Sequence, residues 1–162
     1  MRKAVVLVMS DSSSRGERED ASGKLLMKLL EKDFETKLEI IPDEKEKITG
    51  RIIYYSDKEQ ADLILTTGGT GLGPRDVTPE ATLDVSERIV PGLSELIREK
   101  GAKKTSRAYL SRGVSVLRGR TLIINLPGSP GGASESYLAV KELLPHAFEM
   151  IEGKGHGKEN RK

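Results

Sequence analysis

At 162 residues the chain has the length of one ordinary domain and is too short for two. Hydrophobic residues make up 36% and charged residues 32%, too apolar for a disordered chain, and no apolar run is long enough to cross a bilayer. A net charge of +2, with two Phe, four Tyr and no Trp, argues against a nucleic-acid binder, and the absence of cysteine excludes disulfides, thiolate nucleophiles and Cys-ligated metals.

Ala4–Met9 is a continuous apolar run, the pattern of a central parallel strand buried on both faces, and Ser10-Asp11 ends it before any signal-peptide cleavage pattern appears. Small polar residues from Ser10 to Gly16 read as a loop. Asp20 or Ser22 then caps a helix that carries Leu25, Leu26, Leu29 and Leu30 on one face. Leu38–Ile41 reads as a second strand ended by Pro42, followed from Glu44 by a helix with Ile48, Ile52 and Ile53 that stops before the polar Ser56–Gln60.

The third strand, Leu63–Thr66, runs into Thr67-Gly68-Gly69-Thr70-Gly71-Leu72-Gly73-Pro74-Arg75-Asp76-Val77, after which Thr78 caps a helix with Pro79 in its first turn. Pro91–Glu99 and Thr105–Leu110 read as helices. Val114–Leu117 and Leu122–Leu126 read as an antiparallel hairpin turning at Gly119. Pro127-Gly128-Ser129-Pro130-Gly131-Gly132 then opens one final helix carrying Leu138, Val140, Leu143, Leu144, Phe148 and Ile151. Alternating strands and helices predict an α/β fold: a three-layer α/β/α domain over residues 1–152, with a mostly parallel central sheet, one antiparallel strand pair and a polar tail over 153–162.

In such sheets ligands bind beyond the carboxyl ends of the strands. The glycines of Gly68–Gly73 let backbone N–H groups turn toward one point, which suits a phosphate, whereas a plain tight turn explains neither their density nor Arg75 and Asp76 beside them. The dinucleotide fingerprint fails because position 74 is Pro, and no P-loop occurs. Arg75 and Asp76 form either a guanidinium and a magnesium-binding carboxylate on one phosphate or a local ion pair. Asp43 is either a second magnesium ligand or the cap of the helix at Glu44. Ser129 is either a phosphate ligand at a helix start or an N-cap. The serines and aspartates of Ser10-Asp11-Ser12 and Asp20-Ala21-Ser22-Gly23 suit polar ligand contacts and loop caps equally. His146, in the final helix, and His156, in the tail, read as structural, so no Ser-His-Asp set forms. A reaction between phosphates, driven by positioning and charge neutralisation, fits these residues best.

The stretch Thr66–Thr82, reading Thr-Thr-Gly-Gly-Thr-Gly-Leu-Gly-Pro-Arg-Asp-Val-Thr-Pro-Glu-Ala-Thr, closely resembles the molybdopterin-binding MogA/MoaB family. Ser10-Asp11-Ser12, Glu19–Gly23, Ile41–Glu44, Leu110-Ser111-Arg112 and Ile124–Ser129 follow in the family's order, so the resemblance spans about residues 4–152. It implies an enzyme that transfers AMP from Mg-ATP to molybdopterin in molybdenum cofactor biosynthesis, a cytoplasmic homotrimer or a hexamer of two such trimers, and contact with the pathway's upstream and downstream enzymes. It further implies that Asp43 and Asp76 hold or orient Mg²⁺. Thr67–Gly73 and Arg75 would cradle phosphate, Pro127, Gly128 and Ser129 would bind the pterin or its phosphate, and Ser10, Asp11, Ser12, Asp20, Ser22 and Gly23 would line the cleft. The length of Pro91–Arg112 looks more like the MogA branch. A MoaB-type carrier that binds molybdopterin without catalysis is the alternative, and two magnesium-capable carboxylates favour the enzyme. The scarcity of Gln and Asn beside abundant Lys and Glu adds an expectation of a thermophilic source.

Overall fold

In a computed structural model that describes residues 1–17 and 19–154, six strands form one sheet: β1 (Arg2–Met9), β2 (Phe34–Ile41), β3 (Leu63–Thr67), β4 (Arg88–Ile89), β5 (Ser115–Arg118) and β6 (Thr121–Leu126). Their order is β2-β1-β3-β6-β5-β4. β2, β1, β3 and β6 run parallel, while β5 is antiparallel to β6 and to β4. The helices are α1 (Asp11–Ser14), α2 (Ala21–Leu30), α3 (Lys45–Ile53), α4 (Thr78–Asp84), α5 (Pro91–Ala102), α6 (Pro130–Val140) and α7 (Leu144–Ile151). The greater part of the tail, from position 155 and including His156, lies outside the described residues.

Alternation along the central strands divides the core into two layers. Val6, Val8, Leu63, Leu65, Leu122 and Ile124 pack with Leu26 and Leu30 of α2, Leu93 and Ile97 of α5, Tyr137 of α6 and Phe148 of α7. Their neighbours Val5, Leu7, Ile64 and Ile123 face the other way, onto Ile48 and Ile52 of α3 and Ala81 of α4. Apolar side chains on both faces explain why these strands read as unbroken hydrophobic runs.

The expected α/β/α architecture and the hairpin are present, with Gly119 turning at φ +55°. Several local expectations are corrected. The Ser10–Gly16 loop contains one helical turn, α1, capped by Ser10, whose Oγ accepts from Ser13 N–H at 3.2 Å. β2 begins at Phe34 rather than Leu38, because the Phe34 ring is buried edge-on against Phe148 and the pairing with β1 starts at Arg2. α3 does not stop before Ser56; it continues into a π-helical turn, Tyr54–Lys58, that buries Tyr55 and Ser56. The two-residue β4 carries no periodic pattern and was not expected. The single final helix is instead α6, a 3-10 turn at Lys141–Leu143 and α7. Pro145 explains that break, since its nitrogen cannot donate to the carbonyl of Lys141.

Candidate active site

β1 connects to β2 on one side of itself and the chain then returns as β3 on the other side, so the topology switches between β1 and β3. Loops leaving the two strands diverge there and open a crevice. The segments after β1 and β3 meet the one after β6 at this place. Gly68 N–H donates to Leu126 O at 3.2 Å, Thr67 Oγ1 donates to Pro127 O at 2.7 Å, and a Cβ on Gly128 would lie 3.2 Å from Gly68 Cα. Gly68 has φ +100°, and a Cβ there would stand 2.5 Å from Met9 O, so only glycine allows β1 and β3 to release their loops this close together.

A cleft of about 360 Å³ lies between these segments, lined by Ser10, Asp20, Ser22, Thr67, Gly68 and Ser129 among others. The N-termini of α2 and α6 open onto it, each with a capping side chain. Asp20 Oδ1 accepts from Gly23 N–H at 2.8 Å, so Asp20 rather than Ser22 is the cap, and Ser129 Oγ accepts from Gly132 N–H at 3.1 Å. Ser129 therefore does hold the helix start, and it also faces the cleft. Asp20 Oδ2 is buried and receives no hydrogen bond among the described residues.

Beside the cleft the glycine loop joins a cluster of charges. Asp11 and Asp43 interlock: Asp11 N–H donates to Asp43 Oδ2 at 3.1 Å, and Asp43 N–H donates to Asp11 Oδ1 at 2.9 Å. The cap of α3 is Glu44, without a side-chain bond, so Asp43 is not the helix cap. Arg75 reaches Asp11 through Nε and Nη2 at 2.9–3.1 Å rather than pairing with its neighbour Asp76, which disposes of the local ion pair. Asp76 Oδ2 instead accepts from Gly73 N–H at 2.9 Å and closes the glycine turn; a Cβ on Gly71 or Gly73 would stand 3.0 or 2.9 Å from that oxygen. Thr78 does not cap α4 either. Its hydroxyl donates to Gly68 O at 3.0 Å, and Val77 takes the cap position.

These contacts set the electrostatics. Arg75 holds the Asp11 carboxyl below the usual carboxylate range, with the Asp43 amide helping. Burial pushes the Asp43 carboxyl up; the Asp11 amide opposes this, and the charges of Asp11 and Asp76 add to the rise. A carboxylate held charged under such conditions is relieved by a cation. Asp43 Oδ1 and Asp76 Oδ1 accept no hydrogen bond among the described residues, and a Cβ on Gly69 would approach Asp43 Oδ1 to 3.2 Å. No group of three or more His, Asp or Glu stands ready as a metal cage among the described residues. Two open carboxylate oxygens fit Mg²⁺, which commonly takes one or two carboxylates and fills its shell with water and phosphate oxygens.

Two features had no local signal, the contact of Arg112 with the glycine loop and a second cavity. Arg112 packs on the glycine loop from 41 residues away, beyond the range of any spacing argument. A second cavity of about 480 Å³, lined by Arg98, Lys100, Lys104, Arg107 and Gly132, shares Ser129 with the first. Asp11, Ser12 and Gly23, expected to line the cleft, do not: Asp11 is turned to Asp43 and Arg75, the Ser12 hydroxyl is 3.4 Å from that of Ser10, and Gly23 is packed against Asp20.

Comparison with known proteins agrees with this fold. The family described as "Probable molybdopterin binding domain" matches residues 5–146. The chain is 41% identical over 152 residues to the molybdopterin adenylyltransferase of Helicobacter pylori strain J99, covering 91% of this chain and 86% of that protein. It is 43% identical over 149 residues to the molybdenum cofactor synthesis protein cinnamon of Drosophila melanogaster, covering 90% of this chain but spanning only 25% of the fly protein. The crystal structure of the molybdopterin biosynthesis enzyme MoaB from Thermus thermophilus superimposes with a TM-score of 0.88 at 48% identity, covering 95% of this chain and 98% of that one. Likeness to a MoaB structure over this length means that Pro91–Arg112 does not by itself assign the branch.

Proposed function

Since the chain belongs to the molybdopterin-binding domain family, we propose that it is a molybdopterin adenylyltransferase, moving AMP from Mg-ATP to the terminal phosphate of molybdopterin. The observation that carries this reading is the pair of open carboxylate oxygens, on Asp43 and Asp76, at the mouth of a glycine loop at the switch between β1 and β3. A carrier that only binds the pterin has no use for that pair.

In this reading a terminal phosphate oxygen of molybdopterin attacks the α-phosphorus of ATP. A new P–O–P bond forms, the bond from the α-phosphorus to the bridging oxygen breaks, and pyrophosphate leaves with the electron pair. The nucleophile is already anionic near neutral pH, so the protein positions the two phosphates and offsets their charge. Mg²⁺, when bound, neutralises the phosphate oxygens. Asp43 and Asp76 would hold the ion through their open oxygens, while Arg75, fixed by Asp11, presents its exposed edge to the triphosphate. Within the Thr67–Gly73 loop the N–H groups of Gly69, Thr70, Gly71 and Leu72, which donate to no acceptor among the described residues, face the phosphates. Asp20, Ser22, Pro127, Gly128 and Ser129 surround the pterin with polar groups. The partners in this reading are molybdopterin, ATP and further copies of this chain in a homotrimer or hexamer, together with neighbouring enzymes of the pathway.

Asp76→Asn tests the assignment. Turnover should fall by at least about 100-fold, because a neutral amide cannot replace a carboxylate on Mg²⁺, while affinity for molybdopterin changes little. Turnover that survives in this variant removes Asp76 from the metal and reopens the carrier reading.

A further inference from the structure

We propose that Arg112 is a positioning residue for the nucleotide, acting by fixing the peptide orientations of the glycine loop; this rests on reading that loop as a phosphate cradle. Arg112 makes four contacts with the loop and the helix after it. Its backbone N–H donates to Thr70 O at 2.8 Å. Nε donates to Gly71 O at 2.8 Å, Nη2 to Asp76 O at 2.7 Å, and Nη1 to Glu80 Oε2 at 2.6 Å. One guanidinium thus ties the middle of the loop, its end and α4 together.

The consequence follows from peptide geometry. In a planar trans peptide the C=O and the next N–H point in opposite directions. Pulling the carbonyls of Thr70, Gly71 and Asp76 onto Arg112 therefore turns the N–H groups of Gly71, Leu72 and Val77 to the opposite side. Those three amides, with those of Gly69 and Thr70, donate to no acceptor among the described residues. Glycine peptides flip easily, and each flip would exchange an anion donor for a carbonyl that repels the anion. Arg112 suppresses that exchange without touching the substrate. A lysine in its place supplies charge but not a planar fork able to serve three acceptors.

The test compares wild type with Arg112→Lys and Glu80→Gln. Binding of Mg²⁺ with the α,β-methylene analogue of ATP is measured by calorimetry, and KM for ATP, KM for molybdopterin and kcat are measured by pyrophosphate release. Arg112→Lys should weaken analogue binding and raise KM for ATP by roughly 10- to 100-fold while KM for molybdopterin stays within about threefold, a split that a general loss of structure would not give. Glu80→Gln, which keeps the two carbonyl bonds but loosens the guanidinium, should shift the same quantities in the same direction by less. Unchanged analogue affinity in Arg112→Lys overturns the proposal; if that variant does not fold, unchanged affinity in Glu80→Gln does. Wild type that binds the analogue in an Arg112-dependent way without releasing pyrophosphate would overturn the adenylyl-transfer reading and leave the positioning role standing. Wild type that binds no analogue overturns both.

Discussion

Asp43 is held in surroundings that resist its charge, and this has a measurable signature. Its folded-state pKa is raised, chiefly by burial, so the native state takes up this proton before the unfolded chain does. At neutral pH the residue costs stability, and the cost disappears as the pH falls through the raised value. Asp43→Asn should therefore leave the protein as stable as wild type or more stable, by up to about 1 kcal/mol at neutral pH, while removing turnover; the gain should shrink on acidification. Asp11 behaves in the opposite sense. Its lowered pKa contributes stability that is present above the ordinary carboxylate pKa and lost as the pH falls through the lowered one. Denaturant unfolding of wild type and Asp43→Asn across that range checks both signs. Tyr137 offers a second case, because its hydroxyl is fully buried without a partner among the described residues and burial pushes its pKa up to about 12. Tyr137→Phe should be neutral or stabilising by about 1 kcal/mol, and it should remove the part of the alkaline stability loss that this group causes between the ordinary tyrosine pKa and about 12. The sequence marks Asp43 through its place after a strand, but nothing in it shows that Asp11 rather than the α3 terminus takes up its carboxylate.

At the scale of elements, the junctions between strands and loops carry the site, and single atoms decide them. Gly68→Ala would place a Cβ against Met9 O in a left-handed conformation, and a loss of roughly 2–4 kcal/mol in unfolding free energy is expected. Asn125 performs a comparable task where β5 parts from β6. Its Oδ1 accepts from Val114 N–H at 3.1 Å, and its Nδ2 donates to the hydroxyls of Thr66 at 2.9 Å and Thr82 at 3.0 Å. Asn125→Leu would strand buried partners on β3, α4 and the approach to β5, so a loss of about 2–4 kcal/mol is expected in the same measurement. The hydrophobic runs made the central strands legible, and the glycine run made the principal loop legible, because both are local signals. The π-helical turn at Tyr54–Lys58 and the edge strand β4 were not, since tertiary burial of Tyr55 and pairing with β5 create them. The break before α7 did have a signal, in Pro145, which the apolar periodicity outweighed.

Across the whole molecule, the order β2-β1-β3-β6-β5-β4 brings residues that are far apart in sequence together at the carboxyl ends of the central strands β1, β3 and β6. This is why family resemblance located the acidic pair, the cleft serines and the Leu110-Ser111-Arg112 stretch, while the contact of Arg112 with the glycine loop and the second, basic cavity emerged only from the fold. Ion pairs also join distant parts: Arg2, at the start of β1, meets Glu152 at 2.5 Å and Asp62 at 3.6 Å, and Glu152 also meets Lys154 at 3.2 Å. Such networks matter most at high temperature, and the protein should unfold above the range of about 45–65 °C common among mesophilic domains, with a midpoint that falls on adding salt. Pyrophosphate release by the purified protein with ATP, Mg²⁺ and molybdopterin separates an adenylyltransferase from a carrier most sharply. Release should require molybdopterin and Mg²⁺ together; tight molybdopterin binding with no release would make the protein a carrier and not an enzyme.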